Sequence, residues 1–166
     1  MIIPTPLPRH MISFINDGRQ FNYRIVGIAL HDDHILLQRA EHDTFWALPG
    51  GRGELLESSP NTLRREIAEE LGETVAVERL IWVVENFFEY NQLAYHELAL
   101  YYLIRFPAQS PLYRLDPVTG LEDGNPLYFR WFPLLAVEQL EVYPSFLRQG
   151  LRALPAQITH LIHYDE

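Results

Sequence analysis

The sequence contains no cysteine, which excludes disulfides, thiolate metal sites and a thiol nucleophile together. No apolar run approaches the ~20 residues needed to span a bilayer. The opening "MIIPTPLPRHMISF" has neither a basic start nor a long apolar stretch, so the sequence predicts no signal peptide, no membrane partner and a cytosolic (cytoplasmic) address. Basic residues are outnumbered, 13 against 22 acidic, for a net charge of −9. Binding along a DNA or RNA backbone needs the opposite balance. A small phosphorylated substrate is compatible with this chain if a divalent cation accompanies it. No internal repeat, low-complexity tract or composition break marks a second domain. The 166 residues, 48% of them hydrophobic, suffice for one sizeable core.

What is present reads mainly as strand. "MISFI" and "FNYRIVGIALH" flank Asp17-Gly18, a hairpin signal, so residues 1–21 are expected to add a hairpin strand to a single domain spanning 1–166. "HILLQRA" follows a second Asp-containing turn, and "FWALP" leads into a cluster of glycines. "VAVERLIWVVENFFEY" and "AYHELALYYLIRF", joined by "NQL", are expected to pair antiparallel. Residues 107–127, rich in proline, read as a long surface loop. "LYFRWFPL" reads as a further strand, "PSFLRQGLRAL" as a helix and "ITHLIH" as a closing strand. In the first half one helix is expected from about Pro60 to Leu71, with Ser59 as N-cap and Gly72 just past its end. Strands outnumber helices, which argues for an α+β fold: a sheet with helices on its faces.

The chemistry concentrates in "GGRGELLESSPNTLRREIAEELGE", residues 50–73. At about 100° per residue, Leu63, Ile67 and Leu71 form a buried stripe, and Glu66, Glu69 and Glu70 lie beside it. Glu66 and Glu70 repel one turn apart, and acidic residues near a helix C-terminus oppose its dipole, together about 1–2 kcal/mol, of which Arg64 and Arg65 relieve part. A bound Mg²⁺ or Mn²⁺ would reverse the sign, because hard cations prefer carboxylate oxygens. Taken alone, "RREIAEELG" also reads as a solvated amphipathic face. The glycines tip the balance: Gly50, Gly51 and Gly53 let the backbone come close to a ligand. Glu57, just ahead of the helix, can fold back onto its acidic side. Loop, carboxylate and helix together describe a cradle for a metal–phosphate unit.

Residues 51–73 resemble the Nudix box, G-x5-E-x7-R-E-U-x-E-E-x-G-U with U bulky and aliphatic. Gly51, Glu57, Arg65, Glu66, Ile67, Glu69, Glu70 and Gly72 stand where the pattern asks. Eight such matches arise by chance on the order of once in a billion start positions for average composition. The last position departs, being Glu73 rather than aliphatic, which bears on packing at the helix exit. The resemblance extends over roughly residues 22–163 and implies an α/β/α sandwich, a mixed sheet between helices. It also implies hydrolysis of a nucleoside diphosphate linked to another moiety, with Mg²⁺ or Mn²⁺ as cofactor. Carried over position by position, Glu66, Glu69 and Glu70 become metal ligands. Glu57 becomes a further ligand or its neighbour, the Gly51 carbonyl a contributor, and Arg65 an orienter of the box glutamates. The partner implied is a small nucleotide-type substrate, and a homodimer is left open. A Nudix-like module that senses a nucleotide without cleaving it is the alternative, although the full glutamate set favours an enzyme.

Members of this family often take one more carboxylate from outside the box. Glu97, a charge in the otherwise apolar "YHELALYYL", is the first choice for a catalytic residue, the other reading being a solvent-facing strand position. Glu85 and Glu89 are secondary. Among aromatics able to stack on a base, Tyr90 stands at the interval where diadenosine polyphosphate hydrolases of this family carry a tyrosine. The proline of the ADP-ribose enzymes, some fifteen residues after the box, is missing, as are the motif and zinc cysteines of NADH pyrophosphatases. Tyr113 and Arg114 in the 107–127 loop are expected to meet the remainder of the substrate, unless the loop is a surface excursion.

Overall fold

The computed structural model describes residues 8–114, 116–122 and 124–165. In chain order the elements are β1 (Ser13–Asn16), β2 (Arg19–His31), β3 (His34–Ala40), β4 (Gly50–Arg52), α1 (Ser59–Leu71), β5 (Ala76–Tyr90), β6 (Leu93–Arg105), β7 (Val118–Glu122), β8 (Asn125–Pro133), α2 (Leu147–Gly150) and β9 (Thr159–Tyr164). The strands run β7-β8-β3-β2-β6-β5-β9, with β1 and β4 both added to β2. Two pairings are parallel, β2 with β6 and β5 with β9, and the others are antiparallel. The sheet is therefore mixed.

Turn chemistry sets the hairpins. Asp17 and Gly18 both take positive φ, as do Asp32-Asp33 and Asn91-Gln92, the backbone that two-residue hairpins require. The first of these turns places Ser13 opposite Asn22, so the expected N-terminal hairpin strand extends the same sheet. Residues 1–7 lie outside the described part.

Alternation along β2 then builds two cores. Ile25 and Ala29 point to one face, where they meet Leu63 and Ile67 of α1 with Ile104, Phe106 and Phe129. Val26 and Ile28 point to the other, with Trp82, Val84, Tyr101, Val142, Leu147 and Leu151. Helices cover both faces, the sandwich that the sequence implies.

Three expectations are corrected. Ser58, not Ser59, is the N-cap of α1, and it makes no side-chain cap bond; the Ser59 hydroxyl instead meets the Tyr102 hydroxyl at 2.8 Å. The helix expected over "PSFLRQGLRAL" is the four-residue α2, because Gly150 is a poor helix former whose missing side chain lets Trp82 pack closely. The 107–127 segment is not one loop: it holds a 3-10 turn at Pro111–Tyr113 and strand β7. Gly120 of β7 lies so close to α1 that a Cβ there would strike the Glu70 carbonyl. That contact fixes the acidic end of α1 against the sheet.

Ile67 of α1 is fully buried in the core that this helix shares with the sheet. Ile67→Ala should lower unfolding free energy by about 2–5 kcal/mol, whereas Leu55→Ala, at a residue 62% exposed, should stay within about 0.5 kcal/mol. Chemical denaturation of both variants measures this, and equal effects would mean α1 is not anchored through Ile67.

Candidate active site

The site is built where β4 leads into α1. Gly51 pairs with Ile25 in the β2–β4 ladder, and a Cβ on Gly51 would land on the Glu66 carboxylate. Only glycine allows that approach. Arg65 gathers the carboxylates: its Nε and Nη2 donate to the two oxygens of Glu57, each at 3.0 Å, and its Nη1 donates to Glu66 at 2.6 Å and Glu69 at 3.2 Å. Thr62 adds a hydroxyl bond to Glu57 at 2.7 Å. Arg64 bonds Asn61 rather than a glutamate.

Residues outside the motif complete the cluster. Arg9 donates to Glu54 at 2.7 Å and to Glu69 at 2.8 Å. Glu54 also lies 3.4 Å from Arg65. These groups, with Met11, Arg24, Arg52, Glu66, Glu70, Leu121 and Glu122, line a cavity of about 390 Å³. Arg9, Glu54, Arg24, Arg52 and Glu122 were not legible as site residues. Glu54, a carboxylate next to Gly53, carried the best available hint.

Glu70 is the exception within the cluster. It is only 6% exposed, and neither carboxylate oxygen has a hydrogen-bond partner among the described residues. Burial, with Glu66, Glu122 and Glu69 adding repulsion against the pull of Arg24, pushes its pKa up to about 9. Burial likewise raises Glu66, opposed by Arg65. Glu57 is also penalised by burial, but hydrogen bonds from Arg65 and Thr62 outweigh that and hold its pKa below the usual range. Among the described residues, no three carboxylate or imidazole groups converge as a ready metal cage; arginines hold four of the six clustered glutamates. The donors nevertheless fit a hard divalent cation: all are carboxylate oxygens, and Glu70 is a buried charge-bearing group with no partner. Glu70 could hold the ion together with Glu57, Glu66 and Glu69, once those three exchange their arginine contacts.

Not every candidate joins this cluster. Glu97 is buried, 7% exposed, so the solvent-facing alternative is excluded. It stands opposite Asn22 on β2 and Asn86 on β5, outside the cavity lining. Burial raises its pKa, opposed by Arg24, Asn22 and Arg52. Tyr90, partly exposed near the β5–β6 turn, donates its hydroxyl to Asp43 at 2.8 Å and packs edge-on to Phe45. Glu85 meets His160 at 2.8 Å, and Glu89 is exposed. Tyr113 and Arg114 are not brought to the carboxylates. They line a separate cavity of about 310 Å³ with His31, Asp32, His34, Asp116 and Trp131. His31 is seven residues from Arg24 along β2, roughly 20 Å, because the chain after β6 emerges at the opposite end of the sheet. Tyr113 there stacks on His31 at 3.9 Å and donates to the Phe106 carbonyl.

In the metal-free protein the Glu70 shift has a definite sign. A carboxyl raised from 4.5 to about 9 binds an extra proton in the folded state across that interval. Its contribution to stability is therefore full below about pH 4.5 and declines as pH rises towards 9. Glu70→Gln should match the wild type near pH 5 and melt several degrees higher, ~5 °C, near pH 8.5. Millimolar Mg²⁺ or Mn²⁺ should raise the wild-type midpoint and leave that of Glu70→Gln nearly unchanged. A metal-free variant markedly less stable at pH 8.5 would make Glu70 a structural residue.

Comparison with known proteins bears on the family and the fold. The model of the family described as NUDIX domain matches residues 22–154. A protein of Bacillus subtilis (strain 168) bearing the name of an ADP-ribose pyrophosphatase, YjhB, is 37% identical over 60 residues; the match covers 36% of this chain and 29% of that protein. A NUDIX hydrolase from Nitrosomonas europaea shares the fold with a TM-score of 0.59 at 15% identity, over 97% of this chain and 98% of that one. An ADP-ribose pyrophosphatase from Streptococcus suis 89-1591 does so with a TM-score of 0.56 at 15% identity, over 87% and 98%. Likeness at that identity concerns the fold. No helix of the described residues is long and apolar enough to cross a membrane.

Proposed function

We propose that this chain, which belongs to the NUDIX domain family, is a metal-dependent hydrolase of phosphoric anhydride bonds. Its substrate in this reading is a nucleoside diphosphate linked to another moiety. The observation that carries the reading is Glu70, a buried carboxylate with two unpartnered oxygens in a cavity lined by further glutamates. Such a group is costly to ionise without a cation beside it.

Glu66, Glu69 and Glu70 would hold Mg²⁺ or Mn²⁺, with Glu57 and the Gly51 carbonyl as further donors. When bound, the ion neutralises the diphosphate and makes a water easier to deprotonate. The protein supplies the remainder. Arg65, anchored on Glu57 at 3.0 Å, keeps the Glu66 carboxylate against Gly51 and so fixes the donors before substrate arrives. The water attacks phosphorus, its proton passes to a glutamate of the cluster, and the anhydride bond breaks to leave two phosphate products. Glu97, which does not line the cavity, acts in this reading by balancing the Arg24 cation rather than by touching substrate. Tyr90, beside Phe45, offers a ring on which a base can stack. YjhB and the Streptococcus suis structure carry the ADP-ribose pyrophosphatase name, while the proline expected of such enzymes is missing here. The reading therefore stops at the nucleoside diphosphate class.

Phosphate or nucleotide release across nucleoside triphosphates, nucleoside diphosphate sugars including ADP-ribose, and dinucleoside polyphosphates, with Mg²⁺ or Mn²⁺, tests the activity. Glu66→Gln and Glu70→Gln should each reduce kcat by about 100-fold or more. Silence across the panel with nucleotide binding retained would instead indicate a sensing module. Tyr113→Ala and Arg114→Ala, on the distant cavity, should leave KM and kcat within about twofold; a several-fold rise in KM in both would return that segment to the site.

A further inference from the structure

We infer that Arg24 and Arg52 form the anion-binding half of the carboxylate cavity and grip the diphosphate of the substrate as a pair of guanidinium forks. The inference rests on the hydrolase reading for its substrate, but it starts from a separate feature of the sheet. Arg24 on β2 and Arg52 on β4 are direct cross-strand partners. Side chains so placed leave the sheet on one face with Cβ atoms roughly 5 Å apart, and like charges there are destabilising. Both are partly buried, and both line the cavity. A pair of adjoining cations in a half-enclosed space calls for an anion between or above them.

The protein does not fully provide one. Neither guanidinium makes a hydrogen bond or ion pair to a described residue, whereas Arg9 and Arg65 in the same cavity are bound to two and four carboxylates within 4 Å. Burial works against the charge on Arg24, and the fields of Glu97, Glu122, Tyr101 and Glu70 outweigh it. Their oxygens do not occupy its donors. The cavity is thereby divided: Arg9 and Arg65 neutralise acidic groups, while Arg24 and Arg52 keep forks free. The sequence has no lysine, so both of these cavity cations are arginines, the side chain whose planar fork matches two oxygens of one phosphate.

The division also suits the ligand's own geometry. A metal–diphosphate unit presents a cation on one side and non-bridging oxygens on the other. Glu66 and Glu70 of α1 suit the first need, and Arg24 and Arg52 of the strands, lining the same cavity, suit the second. A volume of about 390 Å³ lies within the range of small-ligand sites. Arg24 and Arg52 would thus contact the phosphates that carry the developing charge, and count as catalytic residues.

The test measures binding of methylenediphosphonate, whose P–C–P bridge resists hydrolysis, by calorimetry in the presence of Mg²⁺, alongside KM and kcat on the best nucleotide. Arg24→Gln and Arg52→Gln should each weaken diphosphonate binding about tenfold or more, with Lys at either position restoring only part of it. Arg105→Gln, which removes the same charge from the far end of β6, should bind as the wild type does. If Arg24→Gln fails to fold, Arg52→Gln, at the short β4 strand, carries the test. Diphosphonate affinity unchanged in folded Arg→Gln variants, or absent in the wild type, overturns the inference. Loss of affinity in the variants of a protein that hydrolyses no nucleotide upholds the clamp and refutes the hydrolase reading.

Discussion

A helix that packs its apolar stripe on a sheet leaves little room for charge at its edge, and α1 places Glu70 there all the same. The glutamate lies one turn beyond Ile67 and Glu66, beneath β7, with water largely excluded and no hydrogen-bond donor on either oxygen. Much of the surrounding structure bears on that position. Gly120 lets β7 approach the Glu70 carbonyl, Gly51 leaves space for the neighbouring Glu66 carboxylate, and Arg65 draws off the remaining negative charge. Glu54, Glu57, Glu66 and Glu69 each have an arginine partner. A cation is what Glu70 lacks.

That deficit links stability to function. Groups held at functional sites in energetically poor states are compensated by the rest of the fold. Here the compensation is the double core, with Ile25 and Ala29 on one face of β2 and Val26 and Ile28 on the other. The long β2–β6 and β5–β6 ladders make the platform rigid. The helix can therefore keep an unfavourable acidic side without unwinding.

Much of this was legible from local chemistry. The hairpin turns were signalled by Asp17-Gly18, and the α1 stripe by its spacing. The same wheel puts Glu70 only about 20° from Leu63, so its burial was within reach of the sequence. What stayed hidden depends on contacts between distant segments. Arg9 sits in a stretch without periodicity, and nothing local ties it to Glu54, 45 residues away. Arg24 reads as an ordinary strand position until the register sets Arg52 beside it. Strand β7 was masked by the prolines around it, since its pairing with β8, not its composition, makes it a strand. Tyr113 and Arg114 looked close to Glu97 because β6 connects them, yet a strand carries its two ends far apart.

The central claim is that the Glu70 carboxylate exists to meet a divalent cation. Anomalous scattering from Mn²⁺ diffused into crystals tests it most directly. The account predicts a peak bonded to Glu70 and Glu66, with Arg65 drawn away from Glu66. A Mn²⁺ peak elsewhere, with Glu70 still buried and without a partner, would contradict it.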